Sequence, residues 1–269
     1  MQAAGRYFRL WGALARYSLT RELAFRFNFL VKVFVELLWL TILLVFYHTI
    51  FTKTDNVASW DREQYLFFVG CYFTLGGILE TFFLDNCNNF ADLVRTGDLD
   101  FYLLKPIDEQ FLISCRTIDW SCVPNVLMGV GVMIVAVWQG GWSIDIATVL
   151  LFVAVFLCGV ALAYGFLLLM TAASVWFMRN QSLFEMWWLF TTLMRYPREI
   201  FSRTWAAPVG WIFSFVIPIM LVTNVPARVM LRAIEPGMLA YVAGATIVVL
   251  WASRRFFKYA LLRYRSASS

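Results

Sequence analysis

Long apolar runs separated by short polar breaks set the pattern of this chain. The clearest are residues 29–51, 65–84, 118–138, 146–177 and 238–257. Each is at or near the roughly 20 residues a helix needs to cross a hydrocarbon core of about 30 Å. The run 146–177 exceeds that need, so it is expected to tilt or project beyond the bilayer. Two shorter apolar pieces, 183–194 and 208–222, lie before the last run. The pattern predicts an all-α polytopic membrane protein, organised as a single transmembrane domain over residues 1–269.

The start of the chain is patterned differently. Tyr7, Leu10, Trp11, Leu14 and Tyr17 recur at helical spacing, with Arg6, Arg9 and Arg16 off that face. Such a helix, over about 5–26, is expected in the membrane interface. Its arginines interrupt any apolar core of a signal peptide. The first 26 residues carry five arginines against Glu22, and the tail from 254 carries five basic residues and no acid. Loop 52–63 holds two basic and three acidic residues, and turn 139–145 holds no basic one. Positive flanks stay inside, so both termini are expected in the cytoplasm and the number of spans is even, at six.

That parity forces a choice in 183–239. Pro197, Pro218 and Pro226 interrupt it, and proline removes a helix donor and clashes with the preceding turn. Either 195–236 enters and leaves on the external side as a re-entrant segment, or 183–203 lies on the cytoplasmic surface and 206–223 spans. The first arrangement puts Arg195, Arg198, Arg203, Arg228 and Arg232 on the external side, so charge alone favours the second. Irregular backbone at membrane depth is tolerated only where protein or a water cavity covers it.

The polar stretch 85–116 lies between the second and third spans. Phe90, Leu93 and Val94 share a helical face, Gly97 is placed to stop the helix, and Asp98 to cap a second short helix over 99–104. Lys105 and Pro106 close it. Two amphipathic helices joined by a glycine turn exceed what a linker needs, and each is expected to expose an apolar face to a partner groove. The segment carries six acidic and three basic residues, so an anionic leaflet does not attract it and a protein partner fits better.

Composition agrees: 61% of residues are hydrophobic and 14% charged. Lys32, Glu36 and Glu80 fall inside apolar runs, where charge is costly; Lys32 and Glu36, one turn apart, are expected to pair or to snorkel. Glu80 and Asp119 are both expected in structural pairings. The five cysteines show no CxxC spacing and read as small buried hydrophobes, and a single histidine excludes a zinc site built on histidines. No phosphate-cradling GxxxxGK[ST] loop, GxSxG or HExxH occurs, so no cofactor is expected on this chain. Asp98 and Asp100 form a lone D-x-D, a weak metal signal. The basic, aromatic tail reads as a membrane anchor and not as a nucleic-acid site. The rival readings are an integral membrane enzyme acting on lipid, which lacks a nucleophile or metal constellation here, and an ion-coupled secondary transporter, which would favour midplane carboxylates and internal repeats.

The segment LVRTGDLDFYLLKP (93–106), YPREIF (196–201), the IP at 217–218 and VPARVML (225–231) together resemble the permease subunits of ABC-2 type exporters, in the bacterial branch of uncharacterised ABC-2 family permeases. The likeness runs over essentially the whole chain. It implies a bacterial cytoplasmic (inner) membrane permease with the re-entrant arrangement. It implies a second permease beside it, identical or paralogous, and two cytoplasmic ATPase copies that hold ATP and Mg. By the same resemblance, Leu93, Arg95, Gly97, Asp98, Leu99, Asp100, Leu103, Lys105 and Pro106 belong to a coupling segment seated in the ATPase. Tyr196, Pro197, Pro218, Pro226 and Arg228 belong to an external gate over the substrate path.

Overall fold

Hydrocarbon offers backbone N–H and C=O groups no partner, so apolar runs close their hydrogen bonds internally as helices. The computed structural model describes residues 2–57, 59–142, 144–177, 180–202, 206–231 and 235–264. Its elements in order are α1 (Gln2–Ala24), α2 (Arg26–Phe51), strands β1 (Asn56–Val57) and β2 (Trp60–Asp61), α3 (Arg62–Thr96), α4 (Leu99–Leu103), α5 (Glu109–Ser114), α6 (Trp120–Gly140), α7 (Ile146–Phe177), α8 (Asn180–Met194), α9 (Glu199–Ser202), α10 (Ala207–Val216), α11 (Leu221–Leu231) and α12 (Pro236–Arg263). Helices α2, α3, α6, α7 and α12 are long and apolar enough to cross a membrane, and α10 with α11 forms an apolar pair bent by 89°. The molecule is an all-α, multi-pass membrane protein, and among the described residues the helices are joined by one antiparallel strand pair, Asn56 opposite Asp61 and Val57 opposite Trp60.

Three packing cores organise the described bundle. In the first, α3 and α6 approach backbone to backbone. A Cβ on Gly70 would lie 2.8 Å from the Gly129 carbonyl oxygen, so only small residues permit this contact. Trp60, Tyr65, Phe67 and Phe68 close the same core near the strand pair. In the second core the end of α7 packs on α12 and the end of α3, and in the third the middle of α7 packs on α11 and α12. Helix α11 is buried along nearly its whole length, although Pro226 sits inside it.

The sequence pattern predicts that Pro226 breaks a helix; instead it lies six residues into one. The physical reason is local. Proline at 226 leaves the Val222 carbonyl without its N–H donor four residues on. That oxygen faces Gly159 of α7, where an added Cβ would be only 2.6 Å away. A close helix–helix contact thus takes the place of the missing helical bond. Pro218, by contrast, lies in the break between α10 and α11, as the pattern predicts.

Helix α7, at 32 residues and 1.5 Å per residue, is about 48 Å long and overruns the hydrocarbon. Its last turns, the end of α12 and residues 85–96 of α3 form a stalk. Phe90, Val94 and Leu99 are buried there against Leu168, Ala172, Val175, Phe257 and Ala260, and Trp176 stacks on Phe256 with ring centroids 5.4 Å apart. The loop 97–119 crowns this stalk end; the strand pair marks the opposite, hairpin end. Helix α1 lies against the loop. Tyr7 packs edge-on against Phe111, and the Trp120 indole donates to the Ala15 carbonyl at 3.1 Å. Tyr7 and Trp11 therefore face protein, while Phe8 and Tyr17 are exposed.

Candidate functional site

The stalk-end loop is built from local signals. Gly97 ends α3 in the left-handed region at φ 79°, a conformation that costs glycine least. Asp98 does not cap α4 with its side chain; it accepts from the Thr96 hydroxyl at 2.8 Å, because the turn folds its carboxylate back toward the helix just ended. The expectation that each short helix shows its apolar face outward is also corrected. Val94 and Leu99 are buried, and Leu93 and Leu103 pack half-buried onto the same stalk core. The chain fills that groove with its own α7 and α12.

What the loop does expose is Phe101, 68% accessible, and Leu104, 83% accessible, with Arg95, Asp98, Lys105 and Pro106 of the same segment also exposed. Asp100 is half-buried. Arg95 pairs with Asp92 at 3.2 Å in the open, a contact of little energetic weight. Tyr102 lies between two cations: Lys105 Nζ is 4.5 Å from its ring centroid, and Arg116 donates to its hydroxyl at 2.5 Å. Phe101 and Leu104 were not singled out by sequence. Every residue but Asp100 in LDFYLL is apolar, and so short a helix has no periodicity to mark its outer face.

The loop is tied to three helices. Asp108 caps α5 by accepting from Phe111 N–H at 3.1 Å and accepts from Arg254 Nη2 at 2.8 Å. Its own N–H donates to the Tyr7 hydroxyl at 3.0 Å. Gln110 accepts from Arg254 at 2.9 Å and donates to the Tyr164 hydroxyl at 2.9 Å. Burial works against the Asp108 charge, but the Arg254 hydrogen bond, the Phe111 N–H and the charges of Arg254 and Lys258 outweigh it and hold the carboxyl below its ordinary range.

At the hairpin end, residues 195–202 and α11 are sewn together. Asn224 accepts from Arg198 N–H at 2.9 Å and donates to the Tyr196 carbonyl at 3.5 Å. Thr223 donates to the Met194 carbonyl at 2.8 Å. Pro197 is buried at the turn between α8 and α9. Arg228 pairs with Glu199 and, at 3.6 Å, with Glu235, while Trp60 Nε1 donates to Glu199 at 3.1 Å. The bond from Trp60 puts 195–202 at the same end as the strand pair. The positions 203–205 and 232–234, including Arg203 and Arg232, lie outside the described residues.

The intramembrane charges separate into two sites. Lys32 pairs with Asp119 at 3.1 Å and not with Glu36, because the fold brings the start of α6 beside α2 and Asp119 also caps that start through Ser121 N–H at 3.0 Å. Asp119 thus has the expected structural role. Glu36 and Glu80 instead line a cavity of about 260 Å³ bounded by α2, α3, α6 and α8, with Asn125 and Arg195. A larger apolar cavity of about 510 Å³, lined by Leu40, Tyr47 and Met128 among others, flanks the other side of α2. Among the described residues no cluster of three or more His, Cys, Asp or Glu could hold a metal.

The described residues form a bundle of apolar helices with an anchored polar loop at one end and a bent helix pair, α10–α11, of which α11 is buried. The chain belongs to the ABC-2 family of transporter proteins, whose family model matches residues 37–268. No curated protein matches the chain. No solved structure matches it either. Family membership makes this an ABC-2 type permease, the membrane component of a transporter.

Proposed function

We propose that this chain is the membrane subunit of an ATP-driven exporter in the bacterial cytoplasmic membrane, working beside a second permease, identical or paralogous, and above two ATPase subunits that carry ATP and Mg. In this reading α2, α3, α6, α7, α8 and α12 are the six spans, α1 lies in the interface with Phe8 and Tyr17 toward lipid, and α10–α11 is re-entrant from outside. Both termini and the stalk end are cytoplasmic. The bond from Trp60 to Glu199 supports α8 as a crossing, since it sets the residues after α8 beside the strand pair.

The observation that carries the reading is the pair Phe101 and Leu104, two large apolar side chains held out from a loop that is otherwise anchored. An apolar anchor with a charged rim is how a short helix seats in a partner groove. Closure of the ATPase dimer on ATP would push this loop, and the Arg254–Asp108 and Gln110–Tyr164 contacts would pass the displacement to α12 and α7. The spans would then exchange two arrangements as packed bodies. Tyr196, Pro197, Pro218, Pro226 and Arg228 would form the outer gate.

The test is purification of the tagged protein in mild detergent with its co-purifying chains identified. A cytoplasmic ATPase is expected with the wild type and lost from the Phe101→Asp, Leu104→Asp double variant, which should still reach the membrane. Gly97→Pro, which forbids the left-handed turn, should keep the ATPase bound but uncouple its hydrolysis from export. An ATPase retained by the double variant, or absent from the wild type under conditions that preserve known assemblies, overturns the proposal.

A further inference from the structure

The cavity bounded by α2, α3, α6 and α8 holds polar groups that packing does not satisfy. Glu36 and Glu80 line it, and among the described residues neither forms an ion pair with a basic side chain. Asn125, only 4% exposed, lines it as well. Its Nδ2 donates to Glu80 Oε2 at 3.3 Å, while its Oδ1 is buried without a hydrogen-bond partner among the described residues. A carboxylate at membrane depth is costly, and a buried amide oxygen left unpaired bears its full desolvation cost.

One kind of ligand group relieves both. An ammonium carries a positive charge, three hydrogen-bond donors and no acceptor. The walls favour the same species: Trp39, Tyr72 and Phe73 present aromatic rings, whose faces attract cations. Arg195 also lines the cavity, its Nε buried without a hydrogen-bond partner among the described residues, so two acids face one base and at least one acid has no basic counterpart there. Trp39 on α2 and Trp188 on α8 line the cavity and are both exposed, so its open side is flanked by large aromatic side chains.

We propose that this cavity is an intramembrane binding site for a lipophilic ammonium, whose charged head lies between Glu36, Glu80 and Asn125 Oδ1 and whose apolar body leaves past Trp39. Taking that class as the transported one rests on the exporter reading above; the binding site itself does not.

The experiment uses the full-length protein in phosphatidylcholine nanodiscs and three probes of equal chain length: dodecylammonium, dodecanol and dodecanoate. Saturable binding of dodecylammonium is expected, with the other two weaker by roughly tenfold or more, the value of a charge-assisted hydrogen bond. Glu36→Gln and Glu80→Gln should each weaken the ammonium by a similar factor. Arg195→Met should tighten it, because a repelling charge is gone; a generic apolar cleft would not respond in that direction. Should Glu80→Gln lower the thermal midpoint sharply, Glu36→Gln, on the peripheral helix, decides. Equal binding of all three probes, unchanged affinity in both glutamine variants, or dodecanoate bound tightest and lost in Arg195→Met would each overturn the site. Absence of binding while the ATPase still co-purifies overturns the site alone; binding without any ATPase overturns the exporter reading alone.

Discussion

Asp108 joins three elements through one side chain and one N–H, which makes its charge a structural quantity. Its carboxyl is held below its ordinary range in the folded protein, so its contribution to stability is present above the unfolded value of about 3.9 and is lost as pH falls through the folded one. The thermal midpoint of the purified protein should therefore drop on acidification below about pH 4, and Asp108→Asn should flatten that drop while lowering the midpoint at pH 7. Asp108→Ala also removes the α5 cap and should cost about 0.5–2 kcal/mol. A midpoint equal to wild type at pH 7 in both variants would show that the loop is held elsewhere. Position 108 is plain in the sequence as an acid following Pro106. Its partner Arg254 is 146 residues away, and no local pattern reports such a pairing. The same holds for Lys32, where the near neighbour Glu36 is the obvious partner and the distant Asp119 is the real one.

At the scale of elements, what could be read in advance was what depends on the chain's own neighbours. Gly97 ends a helix because its left-handed backbone favours glycine, and the apolar runs became helices because lipid leaves them no alternative. What could not be read was which face another element would cover. Leu99 has the marks of a docking residue until α7 and α12 are seen to bury it completely. Leu99→Asp should accordingly fail as a coupling variant by lowering stability and yield, an effect the exposed Leu104→Asp should not share. Comparing thermal midpoints of the two variants checks this, and equal midpoints would contradict the inward placement of Leu99. Pro226 gives the same lesson for α11. Gly159→Ala should force the Val222 carbonyl away from α7 and cost about 1–3 kcal/mol, as overpacking does. An unchanged midpoint in that variant would mean the two helices are not held at this distance.

For the whole molecule the open choice was between two topologies, and positive charge favoured the one in which α8 stays on the cytoplasmic surface. The contacts favour the other. Glu199 follows α8 and accepts from Trp60, which belongs to the strand pair after α2. Arg228 closes on Glu199 and Glu235, and the Arg198 guanidinium lies 5.9 Å from the Phe215 ring centroid. These arginines are engaged by the protein's own acids and rings, so at this end they serve as cement for the cap. The two topologies differ in one accessible place. In a cysteine-free background, Asp55→Cys should react with a membrane-impermeant maleimide on intact cells, and Leu104→Cys only after permeabilisation. Pro208→Cys, exposed at the start of α10, decides. If α8 crosses, it labels with Asp55→Cys; if α8 lies on the inner surface and the bent pair crosses instead, it labels with Leu104→Cys. The second result would move residues 195–202 to the stalk side, across the membrane from Trp60. It would break the Trp60–Glu199 bond and replace α8 by the bent pair as the fifth of six spans, leaving the family membership untouched because that rests on the sequence of residues 37–268.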